Sequence, residues 1–194
     1  MKKLNLRLLR MIKHSKGQNI AILIVVITGL FTYTAMNSAI TNLETSLLEF
    51  YDLTNFGDVY VQMMHFPESE VHNLENLDNV KEVDARIVFD APMITGNRDE
   101  KVSVRIVTVD KYENQINKLF VEKGSRTISN REVLIQKQFA EARNIDVGDS
   151  ITVQINGVRY PLLVKGLVSS PEFTYVMEDE QALMPRPDKF GIVF

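Results

Sequence analysis

Cysteine is absent from the 194 residues. That excludes disulfides, thiolate metal sites and cysteine nucleophiles, and it is compatible with an extracytoplasmic domain without requiring one. The phosphate-cradling pattern G-x-x-x-x-G-K-[ST] is also missing, so the chain is not itself a P-loop ATPase. Histidine is scarce. His14, His65 and His72 have no metal-ligand spacing, and each reads as a surface residue. Ser169-Ser170 lies outside any G-x-S-x-G elbow and reads as a turn before Pro171. Glu178-Asp179-Glu180 lacks the glycine and further carboxylates of a calcium loop, so a solvated loop is the simpler reading. No pair of carboxylates suggests acid–base chemistry. No catalytic, cofactor-binding or metal residue is therefore expected, and the chain does not read as an enzyme. Internal repeats and low-complexity linkers are lacking too.

Acidic side chains are missing from the first 16 residues. Six of the 22 basic residues lie there (Lys2, Lys3, Arg7, Arg10, Lys13 and Lys16), and all 25 acidic ones follow later. A basic head, an apolar run and an acidic body form a membrane pattern, not a nucleic-acid one. No charge occurs between Lys16 and Glu44. A bilayer core needs roughly 20 apolar residues of helix, and Asn19, Ile20 through Ala39, Ile40 supply them. The first half, IAILIVVITGL, is strongly apolar. The second carries Thr32, Thr34, Asn37 and Ser38. Hydroxyls there can bond back to the preceding turn, Tyr33 suits a membrane interface, and Asn37 suits an interface or a partner helix. The run is long for a signal peptide, and Asn37-Ser38-Ala39 is a poor cleavage site. A buried soluble helix would leave the basic head unexplained. The reading is a retained transmembrane helix with a cytoplasmic N-terminus.

Beyond the span, Ile40, Leu43, Leu47 and Phe50 recur at helical spacing with Asn42, Glu44 and Glu49 between them. This stripe either packs on its own domain or forms a stalk seam against another membrane helix. The expected organisation is a basic cytoplasmic segment over 1–18, a transmembrane helix over 19–40, a stalk over 41–54, and an α+β extracytoplasmic domain of two units, 55–122 and 130–194.

In the first unit, Gly57–Met63 reads as a strand with Val59, Val61 and Met63 on one face. After Pro67 a helix is expected, with Ser69 as N-cap and Val71, Leu74 and Leu77 buried. Val83, Ala85, Ile87 and Phe89 alternate in the next strand, and Val102, Val104 and Ile106 in the one after, giving a β-α-β-β order. In the second unit EVLIQ reads as a buried strand. KQFAEARNI follows as a short helix with Phe139, Ala142 and Ile145 inward. Two strands joined at Asn156-Gly157 carry the strongest hairpin signal in the chain. Pro161 inside the second of them suggests an edge or a bulge.

The order of these segments resembles the FtsX-like, MacB-type family of ABC transporter permeases. The similarity runs from the basic head and NIAILIVVITGLFTYTAMNSAI through FGDVYVQ and NVKEVDARI. It continues in REVLIQKQFAEARNIDVGDSITVQINGVRYPLLVKGLVSSPEFTYV and ends at MPRPDKFGIVF. Its most specific part is EVLI to VGDSITV, followed by the hairpin and VKGLVSSPEF. The resemblance implies several membrane helices, a separate ATP-binding subunit as partner, and a mechanical relay between ATP hydrolysis and an outer domain. The sequence departs from the family by carrying one span and stopping at KFGIVF. The chain is therefore expected to be the N-terminal piece of a larger permease, with unit 130–194 incomplete. Its partners would be the bilayer, the ATP-binding subunit, and the remaining permease segments or a homodimer partner. The competing expectation is a complete single-pass membrane-anchored sensor or adhesion domain.

Overall fold

The computed structural model describes residues 7, 10, 13–97, 99–109, 116–178 and 184–194. They fall into two compact units, 1–49 and 50–194. The first is dominated by helix α1 (Lys16–Thr54), whose last turn belongs to the second unit. Its 39 residues make about 58 Å of helix. No proline interrupts it. The threonines that would weaken it turn back on its own carbonyls: Thr28 Oγ1 donates to Ile24 O at 2.8 Å and Thr34 Oγ1 to Leu30 O at 2.9 Å. Its apolar side chains are exposed on every face from Ile20 to Leu43. A helix apolar all round and covered by no protein suits a lipid environment. By length and composition α1 can cross a membrane.

The second unit is a seven-stranded sheet: β1 (Val88–Ile94), β2 (Ser103–Val107), β3 (Phe120–Gly124), β4 (Glu132–Gln136), β5 (Ser150–Ile155), β6 (Val158–Ser169) and β7 (Phe190–Val193). Its order is β3-β6-β4-β7-β2-β1-β5. A further β5–β6 pairing closes six of the strands into a circuit, which covers the open edge of β5 and leaves β3 flanking the circuit on β6. The twelve-residue β6 makes this possible. Its first half pairs antiparallel with β5, and its second half pairs parallel with β4 and antiparallel with β3. Asn156 and Gly157 both take positive φ in the β5–β6 turn, as a tight hairpin demands.

Both faces of the sheet are buried. One cluster holds Met93, Val104, Val133, Ile135, Ile151, Val153, Val164, Leu167 and Val193. It is completed by Phe139 and Ala140 of helix α3 (Lys137–Arg143), which follows β4 directly. The other holds Val107, Leu119, Leu134, Val168, Val176, Phe190, Ile192 and Phe194. The period of two is visible in β7, where Phe190 and Ile192 join the second cluster and Val193 the first. Gly191 lies under the Phe139 ring. A Cβ there would stand 2.2 Å from Cγ, so only glycine admits the ring.

The architecture is α+β, as expected, with several local differences. Gly57–Met63 forms no strand, and Val59 and Val61 are 80% and 71% exposed. Alternation creates the capacity for a ladder, yet no strand lies alongside among the described residues. The first half therefore reads α-β-β. Helix α2 (Glu68–Glu75) is capped by Pro67, not Ser69, and no side chain caps it. Lacking a sheet face opposite, it leaves Leu74 and Leu77 exposed and Val71 half-buried. In α3 the inward residue beside Phe139 is Ala140, while Ala142 faces solvent and Ile145 is half-buried. Ile87 is exposed because β1 begins only at Val88, and burial on its inner face starts at Ala91 and Met93. Pro161 pairs with Thr152 where only β5 flanks β6. Strands from both sides of 122–130 share the one sheet, so that stretch marks a change in composition within a single packed unit.

Candidate functional site

The site with the most unusual chemistry lies where α1 ends, within the second unit. Asn55 adopts the left-handed conformation (φ 50°). Its N–H donates to Asp52 O at 3.2 Å, and the Phe56 N–H donates to Tyr51 O at 3.0 Å. This double bond pattern is the Schellman stop, in which two orphan carbonyls of the last turn are satisfied. The apolar contact that accompanies such stops is also present: the Tyr51 and Phe56 rings stack at 4.4 Å and 13°. Phe50 meets Phe120 edge-on at 6.4 Å. The next carbonyls are capped from a distant loop. Lys118 N–H donates to Thr54 O at 2.7 Å, and Asn117 N–H to Asn55 O at 2.9 Å.

Asn117 is 3% exposed and uses nearly all its polar capacity. Its Oδ1 accepts from the Gly57 N–H at 2.9 Å and from the Tyr60 hydroxyl at 2.8 Å. Its Nδ2 donates to Glu172 Oε1. Glu172 in turn receives both hydrogen bonds of a bidentate Arg86 Nη1 contact, at 3.1 and 3.2 Å. The same guanidinium donates to Asp84 Oδ2 through Nη2 at 2.6 Å and Nε at 3.0 Å, and to Ile116 O at 3.0 Å. Burial pushes the Glu172 carboxyl above its ordinary range, while the Arg86 charge and the Asn117 hydrogen bond pull it back. Burial likewise raises the Tyr60 hydroxyl. Gly57 is crowded: a Cβ there would lie 3.1 Å from Ile116 Cγ2 and 3.3 Å from the Tyr60 oxygen.

A second charged cluster stands elsewhere on the domain. Glu100 is gripped by Arg143 at 3.1 Å and Lys189 at 3.0 Å. Hydrogen bonds from Arg143, then Lys189, hold its carboxyl down at about 2.

Of the residues singled out from sequence, Asn19, Ile20, Ala39 and Ile40 all lie within α1. So do Ile40, Leu43, Leu47 and Phe50. The first three are exposed in the isolated chain, and Phe50 is half-buried. His14 and His65 are exposed, and His72 Nδ1 sits 2.9 Å from Glu75. Ser170 is buried with an unpartnered hydroxyl, whereas Ser169 donates to Glu122 at 3.0 Å. Of the acidic triplet, Asp179 and Glu180 lie outside the described residues, and the Glu178 carbonyl accepts from Arg105. Among the described residues no three His, Cys, Asp or Glu side chains could hold a metal ion. Sequence reasoning missed the Asn117–Glu172–Arg86–Tyr60 group altogether. Its only local signal is an asparagine in a loop, the residue type that best tolerates the left-handed φ of 53° found there.

A sheet closed on itself follows one helix that is long and apolar enough to cross a membrane. Residues 20–192 match the MacB-like periplasmic core domain family. The chain belongs to that family. Among solved structures it is similar to the extracellular domain of the noncanonic ABC-type transporter YknZ from Gram-positive bacteria. The identity is 23% and the TM-score 0.40, over 54% of this chain. The chain spans 57% of the length of that solved domain. No curated protein matches.

Proposed function

We propose that this chain is the N-terminal part of an ABC transporter permease subunit. It contributes a membrane helix and an extracytoplasmic core domain to export or mechanical coupling. The helix over 19–40 sits in the cell membrane with the N-terminus cytoplasmic, and residues 41–54 rise from it as a stalk. Work is done on it by a separate ATP-binding subunit, and the chain itself carries out no catalysis. Family membership supports this reading, and one observation carries it: α1 is far longer than a bilayer needs. About 20 residues cross the hydrocarbon, and the remaining turns continue without a break into a capped stop on the outer domain. A continuous helix of this kind can pass a displacement from the membrane to the domain, provided that the seam of Ile40, Leu43, Leu47 and Phe50 has two packing states.

The test is purification of the tagged full chain from native membranes with crosslinking, followed by photolabelling with an azido-ATP. Support requires a co-purifying subunit that takes the label and is displaced by unlabelled ATP. A chain that crosslinks to no nucleotide-binding protein would contradict the reading.

A further inference from the structure

We propose that Asn117 is a positioning residue: with Glu172 and Arg86 it forms a polar latch that locks the last turn of α1 and residues 55–60 onto the sheet domain. The inference deepens the coupling reading, and its functional consequence rests on that reading. The apolar stripe of the stalk gives α1 a face for another helix. It does not explain what holds the end of α1 to its own domain. Three separate stretches of chain converge on the Asn117 side chain and its neighbours. They are residues 54–60, with the helix end at Thr54 and Asn55 and the turn at Gly57 and Tyr60, then Arg86 ahead of β1, and Glu172 after β6.

The Asn117 amide is suited to this place. Its Oδ1 must accept twice and its Nδ2 must donate to a carboxylate, which neither aspartate nor leucine can do at once. The backbone bonds of Asn117 and Lys118 complete the capping of α1, so the side chain and main chain of one loop fix both sides of the helix stop. Arg86 and Glu172 are 9% and 14% exposed along their side chains, and truncating one partner of such a pair leaves the other buried and unpaired. Among the described residues Asp84 also acts on this pair, and it engages Arg86 through Nε and Nη2 while Glu172 takes Nη1. The latch is therefore a network whose members depend on each other.

Because the chain has no cysteine, a nitroxide can be placed at one site at a time. Asp52→Cys reports on the last turn of α1, and Asp149→Cys on the exposed turn before β5. Spectra are recorded on the full chain in lipid nanodiscs. Asn117→Leu is expected to convert the label at 52 to a mobile spectrum and leave the label at 149 unchanged. Tyr60→Phe and Glu172→Gln each remove part of the network and should give intermediate mobility at 52. If Asn117→Leu loosens both labels, the domain itself has been disturbed, and the two milder variants decide. Graded loosening at 52 alone supports the latch, and unchanged spectra at 52 overturn it. Unchanged spectra at 52 in Asn117→Leu overturn it directly. Transport is not read at any step, so a failed latch is distinguishable from a failed coupling reading.

Discussion

Gly191→Ala should be among the most damaging single-methyl additions in the sheet domain. The added Cβ would lie 2.2 Å from Phe139 Cγ and 2.3 Å from Cδ2. Carbon atoms pack favourably at about 3.5–4.0 Å, so the ring must retreat by more than an ångström. It has little room, since Phe139 is 1% exposed and surrounded by the first core cluster. Overpacking of this kind costs about 1–3 kcal/mol. A loss of about 2 kcal/mol corresponds to roughly thirty-fold faster opening, at about 1.4 kcal/mol per decade. Hydrogen exchange of the full chain, read by mass spectrometry on peptides covering β4 and β7, isolates this region from the helix. The paired bonds of Leu134 with Phe194, at 2.9 and 2.8 Å, provide the protected amides. Phe139→Ala alone should cost about 3–5 kcal/mol. In Phe139→Ala/Gly191→Ala the new methyl enters the vacated space, so the double variant should be no less protected than Phe139→Ala. Unchanged protection in Gly191→Ala, or strictly additive losses in the double variant, would refute the packing argument.

Asn55 occupies a left-handed φ, so Asn55→Val should cost about 1–2 kcal/mol and fray the end of α1, whereas Asn55→Gly, which adopts that φ freely, should cost less than the valine; exchange at Thr54 measures both. In the proposed stalk seam, Leu47→Asp puts a charge where a partner helix would bury the leucine, a burial worth about 1.5–3 kcal/mol. In the assembled permease it should uncouple ATP hydrolysis from transport while Glu44→Gln stays nearly silent, and the opposite outcome would make the acidic side the working face. Two carboxylates should titrate stability in opposite senses. Glu172 is raised by burial, so its contribution is complete below the ordinary glutamate range and is lost as pH rises through its folded value. Glu172→Gln should flatten that slope in a pH series of unfolding midpoints. Glu100 is held at about 2 from an ordinary 4.5. Its contribution is present above about 4.5 and disappears as pH falls through about 2, and Glu100→Gln should abolish that acid limb.

Much of the sheet domain was legible because it follows short-range rules. Asn156-Gly157 announces its hairpin, and the alternation of Val133 and Ile135, or of Val102 and Val104, places these residues on a buried face. The end of α1 at Thr54 agrees with a stalk expected over 41–54, since the apolar stripe has its last member at Phe50. Sequence periodicity fails where a pattern depends on what lies opposite. Val59 and Val61 alternate as a strand would, but pairing needs a neighbour, and α2 needs a sheet face to bury Leu74. The closing of the sheet by β6 was equally hidden, since a twelve-residue strand with Pro161 inside it looks like an edge and not like a strand shared by two sets of partners. The polar joint was invisible for a further reason. Asn117 meets Tyr60 and Glu172 across 57 and 55 residues, and Arg86 meets Glu172 across 86. No local spacing rule relates such positions.

On the proposed function, α1 is retained in the membrane and carries its domain to the outer side. Single cysteines at Lys13 and Asp149, in a chain that has none of its own, allow a direct test with a membrane-impermeant maleimide on cells stripped of their outer layers. Labelling at 149 in intact membranes, with labelling at 13 only after permeabilisation, is the result expected. Labelling at 13 but not 149 in intact membranes, or a mature N-terminus near Ile40, would contradict the account.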